Sequence, residues 1–250
     1  MAAPRARIRE MVEWSRYQAV LFDLDGVLTD TASIHAAAWK EAFDGFLRRQ
    51  AGEGFVPFDR SGDYLRYVDG RPRFEGVDSF LRSRGVALPW GTPSDPPGDQ
   101  TVCAVGNLKN ELVSRVLTEQ PVSPYPGSLL LIHHLLDMEL QMAVVTSSAN
   151  ARAVLTAGGL SQFFTVRIDG EVAASLGLRG KPHPDPYLEA ARQLGVMPEM
   201  AVVIEDATSG VAAGKSGNFG LVIGVARHDN ASELTAAGAD LVVRDLGELV

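Results

Sequence analysis

Asp23 and Asp25 flank a single residue at the end of an apolar run, Ala19 to Asp23, and Gly26 follows them directly. A carboxylate at a strand end can attack phosphorus and carry the phosphoryl group as an aspartyl phosphate, while a neighbouring carboxyl group that leaves the strand through glycine exchanges the proton of the reacting hydroxyl. Three further features complete the set: Thr146, closing the run Met142 to Thr146 and followed by Ser147 and Ser148; Lys181, ahead of a helical pattern; and Glu205-Asp206, closing Ala201 to Glu205. Acidic groups gathered in one place are costly unless a cation joins them. An all-oxygen donor set calls for a hard ion, and Mg²⁺ held by a few of these carboxylates together with a substrate phosphate fits better than zinc, for which the sequence has no Cys/His set. With Mg²⁺ and a lysine to neutralise the phosphoryl oxygens, Asp23 is expected to be the nucleophile and Asp25 the general acid/base. Thr146 and the amides after it would donate to the phosphate.

Each feature taken alone has an ordinary reading. Asp-Gly is common turn chemistry, and Thr146, Ser148 or Asn150 could cap a strand or helix. Lys181 alone would be a solvated charge, and Glu205-Asp206 an N-cap pair. Their joint occurrence at strand ends, in this order, favours the chemical reading.

The elements that must hold these groups follow from periodicity. Short β-branched runs alternate with helical patterns, the mark of parallel strands joined by crossover helices. Strands are expected at Ala19 to Asp23, Met142 to Thr146, Thr165 to Asp169, Ala201 to Glu205, Leu221 to Val225 and Leu241 to Val243. Helices are expected at Ser128 to Glu139, Asn150 to Ala157, Pro186 to Leu194, Ser209 to Ser216 and Ala231 to Ala237, with Asp185 capping the third and Gly195 stopping it. Ligands of such sheets bind outside the carboxyl ends of the strands, where the acidic groups fall. From Thr31 to about Tyr125 no buried-strand signal occurs. Apolar stripes at helical spacing run through Ile34, Ala38 and Phe43 to Leu47, through Val77 to Leu81, and through Leu108, Leu112, Val116 and Leu117. Val86 to Gln100, rich in Pro and Gly, is expected to be a surface loop, and Pro121 to Gly127 with Asp30 and Thr31 a two-stranded hinge. The fold expected is α/β, a doubly wound, mostly parallel sheet with an inserted small α-helical cap. Its segments are an extension at 1–16, a core at 17–30 and 126–250, and a cap at 31–125.

Charge and composition exclude other classes. With 31 acidic against 23 basic side chains, the net charge of −8 repels phosphate backbones, so nucleic acid is not an expected partner. The apolar runs are too short to span a bilayer. One cysteine, Cys103, cannot form an internal disulfide and reads as a small buried hydrophobe, consistent with a cytoplasmic protein. Residues 1–16 carry Arg5, Arg7 and Arg9 but lack the apolar core of a secretory signal, and are expected to form a short helical or frayed extension.

The order Asp-x-Asp-Gly, strand-end Thr, Lys-Pro and Glu-Asp resembles the haloacid dehalogenase-like superfamily over nearly the whole chain after residue 16. FDLDGVLTDT followed by His35 and Trp39, VVTSSAN, GKPHPDPYLEAA and VVIEDATSGVAAGKSG are similar to the β-phosphoglucomutase family within it. The resemblance implies Mg²⁺ on Asp23, the Asp25 carbonyl and Asp206, with Glu205 in support. It implies that Thr146, Ser147, Ser148, Asn150 and Lys181 hold the transferred phosphate. On the cap it places Gly70, Arg73 and Lys109 where the family keeps a glycine, an arginine for the distal phosphate and a lysine, and it assigns His35 to support of the hinge and Asp25, and Trp39 to the sugar pocket. His35 and Trp39, four apart on one helix face, read equally as packing residues. Asp69 departs from the pattern, standing beside Gly70 where a lysine is expected.

The activity implied is interconversion of β-glucose 1-phosphate and glucose 6-phosphate through the 1,6-bisphosphate, by a monomer acting on a small sugar phosphate. The alternative is a sugar-phosphate or phosphoglycolate-type phosphatase, in which water takes the phosphoryl group. A silent binding protein would not need the nucleophile and base together.

Overall fold

The computed structural model describes residues 12–119, 121–227 and 229–250. In chain order, β1 (Ala19–Phe22) is followed by α1 (Ala32–Ala51), α2 (Arg73–Ser83), α3 (Val102–Glu119) and α4 (Pro126–Asp137). Then come β2 (Gln141–Val145), α5 (Ala151–Ala157), β3 (Val166–Ile168), α6 (Gly170–Ser175) and α7 (Asp185–Leu194). The chain closes with β4 (Ala201–Glu205), α8 (Thr208–Ser216), β5 (Leu221–Val225), α9 (Ala231–Ala237) and β6 (Leu241–Val243).

The strands form one parallel sheet in the order β3-β2-β1-β4-β5-β6. Every side chain of β1 and β4 is buried, which explains why both runs are apolar throughout except at the terminal Glu205. The chain winds outward from β1 to β3, then returns to place β4 on the other side of β1. The carboxyl ends of β1 and β4 therefore flank the point where the winding reverses, the place where such sheets leave a crevice. β1 ends at Phe22 and β2 at Val145, so Asp23 and Thr146 are the first residues beyond their strands.

Two compact units result, one of Met1–Asp30 with Val122–Val250, the other Thr31–Pro121. Residues 1–11 of the expected extension lie outside the described residues. At its end, Trp14–Arg16 forms a 3₁₀ turn, and buried Trp14 donates from Nε1 to the Leu249 carbonyl at 3.4 Å. Helix α7 begins one residue earlier than expected. Asp185 is its first residue rather than its cap, because its carboxylate accepts from the Arg179 amide at 3.2 Å and from the Arg179 guanidinium at 3.0 Å. Gly195 ends it in the left-handed region.

In the second unit an aromatic core gathers Trp39, Phe43, Phe58 and Phe80, with Phe43 and Phe80 ring centres 4.2 Å apart. Helix α3 buries Val105, Lys109, Leu112 and Val113, whereas Leu108 and Val116 of the expected stripe are only half-buried. The inward face thus contains a lysine, which an apolar count passes over. A π-helical turn at Tyr64–Val68 had no counterpart in the sequence reading. The segment 86–100 contains neither helix nor strand. Among the described residues no helix is long and apolar enough to cross a membrane.

Candidate active site at the carboxyl edge of the sheet

Lys181 organises the strand ends. Its Nζ donates to Asp23 Oδ1 at 2.6 Å, Glu205 Oε1 at 2.5 Å and the Val145 carbonyl at 2.9 Å, which uses the three protons of an ammonium. It reaches them from the loop before α7, where its peptide to Pro182 is cis. Tyr187, in the first turn of α7, donates its hydroxyl to Glu205 Oε1 at 2.8 Å and sets its ring 5.0 Å from the Lys181 ammonium. The Ala207 amide donates to Glu205 Oε2 at 3.2 Å. Glu205 is thereby fixed by a lysine, a phenol and an amide, and it holds the lysine against Asp23.

Asp23, Glu205 and Asp206 are all buried, with carboxylate oxygens lying within 4.8 Å of one another. Burial pushes the Asp23 carboxyl well above the usual carboxylate range; Glu205 and Asp25 add to that push and Lys181 opposes it. Burial alone would lower the Lys181 ammonium, yet Asp23 and Glu205 together hold it above its ordinary value. Burial and Glu205 raise the Tyr187 phenol, keeping it a neutral donor. One lysine against three buried carboxylates leaves negative charge to be balanced, so the donor set fits a hard divalent cation.

Two glycines admit the carboxylates. Gly26 has φ +89°, and a Cβ there would lie 1.9 Å from Asp206 Oδ2. At Gly210, near the start of α8, a Cβ would lie 1.7 Å from Glu205 Oε1. Gly26→Ala therefore forces both a left-handed alanine and displacement of Asp206. Turnover is expected to fall about 100-fold, since a shift of about 1 Å at a reacting centre has that effect. Steady-state kinetics check this, and full activity would show that Asp206 need not stand against the Asp25-Gly26 turn.

Asp25 follows on that turn, bridged to Thr29. Thr146 Oγ1 points to Asp25 Oδ2 at 3.4 Å and accepts from the Ser148 amide at 3.1 Å, while Ser148 Oγ accepts from the Asn150 amide at 3.1 Å. Asn150 is the N-cap of α5. Ser147 lies in the same tight segment, its carbonyl 2.7 Å from where a Cβ on Gly170 would stand. Thr146, Ser148 and Asn150 are thus strung on one hydrogen-bonded loop beside Asp25.

The remaining residues singled out in the sequence lie in the second unit. Lys109 Nζ lies 2.8 Å from His35 Nδ1 and 4.8 Å from the centre of the Trp39 ring. Those three are gathered. Arg73 has a separate setting at the start of α2, donating from Nη2 to Asn107 Oδ1 at 3.0 Å and lying 4.6 Å from the centre of the Phe74 ring. Gly70 has φ +65° directly after Asp69, which ends the π-helical turn. Sequence reasoning missed Tyr187 and Gly210. A tyrosine on the inward stripe of α7 must find a partner for its hydroxyl, which was the available signal for the first.

A family model described as haloacid dehalogenase-like hydrolase matches residues 17–218. The chain is 46% identical to the β-phosphoglucomutase of Mycobacterium bovis, over 99% of this chain and 97% of that one. It is 30% identical to the validoxylamine A 7′-phosphate phosphatase of Streptomyces hygroscopicus, over 93% and 96% of the two chains. The crystal structure of β-phosphoglucomutase from Clostridium difficile matches with a TM-score of 0.74 at 26% identity, covering 94% of this chain and 93% of that one.

Proposed function

The chain belongs to the haloacid dehalogenase-like hydrolase family, on its β-phosphoglucomutase branch, and from that premise we propose that it interconverts β-glucose 1-phosphate and glucose 6-phosphate through the 1,6-bisphosphate. The observation that carries this reading is the Asp23 carboxylate, buried just past the central strand and held by a lysine among further carboxylates.

Asp23, bearing a phosphoryl group, presents it to the 6-hydroxyl of β-glucose 1-phosphate. Asp25 takes the hydroxyl proton, the new O–P bond forms, and the bond from phosphorus to the Asp23 oxygen breaks. After the bisphosphate turns around, Asp23 attacks the 1-phosphate, Asp25 returns its proton to the leaving oxygen, and glucose 6-phosphate departs. Lys181 holds Asp23 in line and offsets charge on the phosphoryl oxygens, and Glu205 with Tyr187 keeps Lys181 in place. Thr146, Ser147, Ser148 and Asn150 supply hydroxyl and amide donors to the same phosphate. Mg²⁺ would be held by Asp23, the Asp25 carbonyl and Asp206, with Glu205 in support, and would draw charge from the phosphoryl oxygens.

The second unit serves as the cap. A mutase needs two phosphate sites, and Arg73 suits the distal one because a guanidinium grips phosphate bidentately. Trp39 is assigned to the sugar and His35 to support of the hinge, and Lys109 lies against both. The chain works as a cytoplasmic monomer on a small sugar phosphate.

Phosphorus NMR of the protein with Mg²⁺, β-glucose 1-phosphate and a trace of the 1,6-bisphosphate tests this function. Glucose 6-phosphate is the expected product. Accumulating inorganic phosphate instead would favour hydrolysis, the activity named for the Streptomyces relative.

A further inference from the structure

Arg227 stands two residues beyond β5 and is far in sequence from Asp25, yet its guanidinium grips the backbone that follows that residue. Nε donates to the Gly26 carbonyl at 2.8 Å and Nη2 to the Val27 carbonyl at 3.4 Å. On its other side, Nη1 donates to Asp245 Oδ2 at 3.0 Å and to the Arg244 carbonyl at 3.3 Å. The planar group lies 3.7 Å from the centre of the Tyr125 ring, and the Tyr125 hydroxyl in turn donates to Asp30 Oδ1 at 3.0 Å. With a side chain only 13% exposed, Arg227 is anchored on every side.

The turn it holds closes on itself through the Gly26 amide and the Thr29 carbonyl at 2.8 Å, while the Gly26 and Val27 carbonyls accept from side chains distant in sequence. Ser128 Oγ donates to the second of these at 2.7 Å; within the first unit, Arg227 spans both. A glycine-bearing turn with φ +89° has backbone freedom that its own residues do not remove.

We propose that Arg227 is a positioning residue for the acid/base step, clamping the backbone from which Asp25 presents its carboxyl group. This rests on the phosphoryl-transfer reading of Asp23 and Asp25, and its consequence is selective. When acetyl phosphate phosphorylates Asp23, the bond from phosphorus to acetate breaks and acetate leaves as a carboxylate with the electron pair, so no proton is needed. Transfer onward to a sugar hydroxyl does need Asp25 to accept a proton. Loss of the clamp slows the second step and spares the first.

The test compares wild type, Arg227→Ala and Arg227→Lys in two assays: mutase turnover, and trapping of aspartyl phosphate from acetyl phosphate. Lysine retains the charge facing Asp245, which protects folding, but cannot fork across two carbonyls or stack on Tyr125. In both variants kcat is expected to fall about 10- to 100-fold, the effect of a misplaced catalytic group, with KM and trapped aspartyl phosphate changed less than about 3-fold. Equal loss of both steps would make Arg227 a general support of the fold and overturn the proposal. Unchanged turnover in variants of a protein that is itself phosphorylated would overturn it alone. A wild-type protein that never traps the phosphate would overturn the reading of Asp23, and the proposal with it.

Discussion

Asp23→Asn is expected to abolish turnover, with kcat lower by at least about 10⁴-fold, because an amide cannot form the acyl phosphate that splits the transfer into two steps. The fold should survive. Lys181 keeps its bonds to Glu205 and the Val145 carbonyl, and asparagine matches the shape it replaces. Burial raises the Asp23 carboxyl in the folded protein, so the folded state binds its proton more tightly than the unfolded chain does. Such a group contributes stability below its unfolded value and loses it as pH rises through the folded one. Once the pH rises through that folded value, the ionised carboxylate of the metal-free protein is a burden that asparagine removes. The variant should melt at or above the wild-type temperature while being inactive. Residual turnover within about tenfold of wild type would contradict the covalent role.

Lys181→Met should have the largest effect on stability. The substitution preserves the apolar stem and removes the ammonium that Asp23 and Glu205 share. Breaking a buried ion pair from one side costs about 3–5 kcal/mol, because the remaining charges stay desolvated. At this chain length that corresponds to a melting temperature lower by roughly 6–20 °C. Adding Glu205→Gln should recover part of the loss, since it removes one of the stranded carboxylates; thermal melts of the two single variants and the double variant measure that coupling. Additive losses would show that Lys181 and Glu205 do not depend on one another. Activity should be absent from all variants lacking Lys181.

The candidate site of this protein was legible as far as strand ends are legible. Asp23, Thr146 and Glu205-Asp206 each close an apolar run, and parallel strands buried on both faces announce themselves as such runs. Lys181 was readable only in company, because a lysine in a loop has no local signature of burial. Tyr187 escaped notice since its hydroxyl partner lies across the sheet edge, a tertiary fact that helical periodicity cannot carry. Lys109 shows the same limit in the second unit. It occupies the inward stripe of α3 with its amine against His35, and a search for apolar residues placed Leu108 there instead. Arg227 lay outside every motif, because its bonds run to backbone carbonyls two hundred residues away in sequence. The π-helical turn at Tyr64–Val68 closes through the Asp69 amide and the Tyr64 carbonyl at 3.0 Å, a spacing for which residue patterns offer no cue.

Borohydride reduction speaks most directly to the chemistry assigned to Asp23. An aspartyl phosphate is reduced by hydride to homoserine, so the residue that carried phosphate is marked permanently in the chain. Protein mixed with Mg²⁺ and the 1,6-bisphosphate, quenched, reduced and digested should yield homoserine at position 23 and none in an Asp23→Asn control. Homoserine at another aspartate, or none at all in a protein that is turning over substrate, would contradict the assignment.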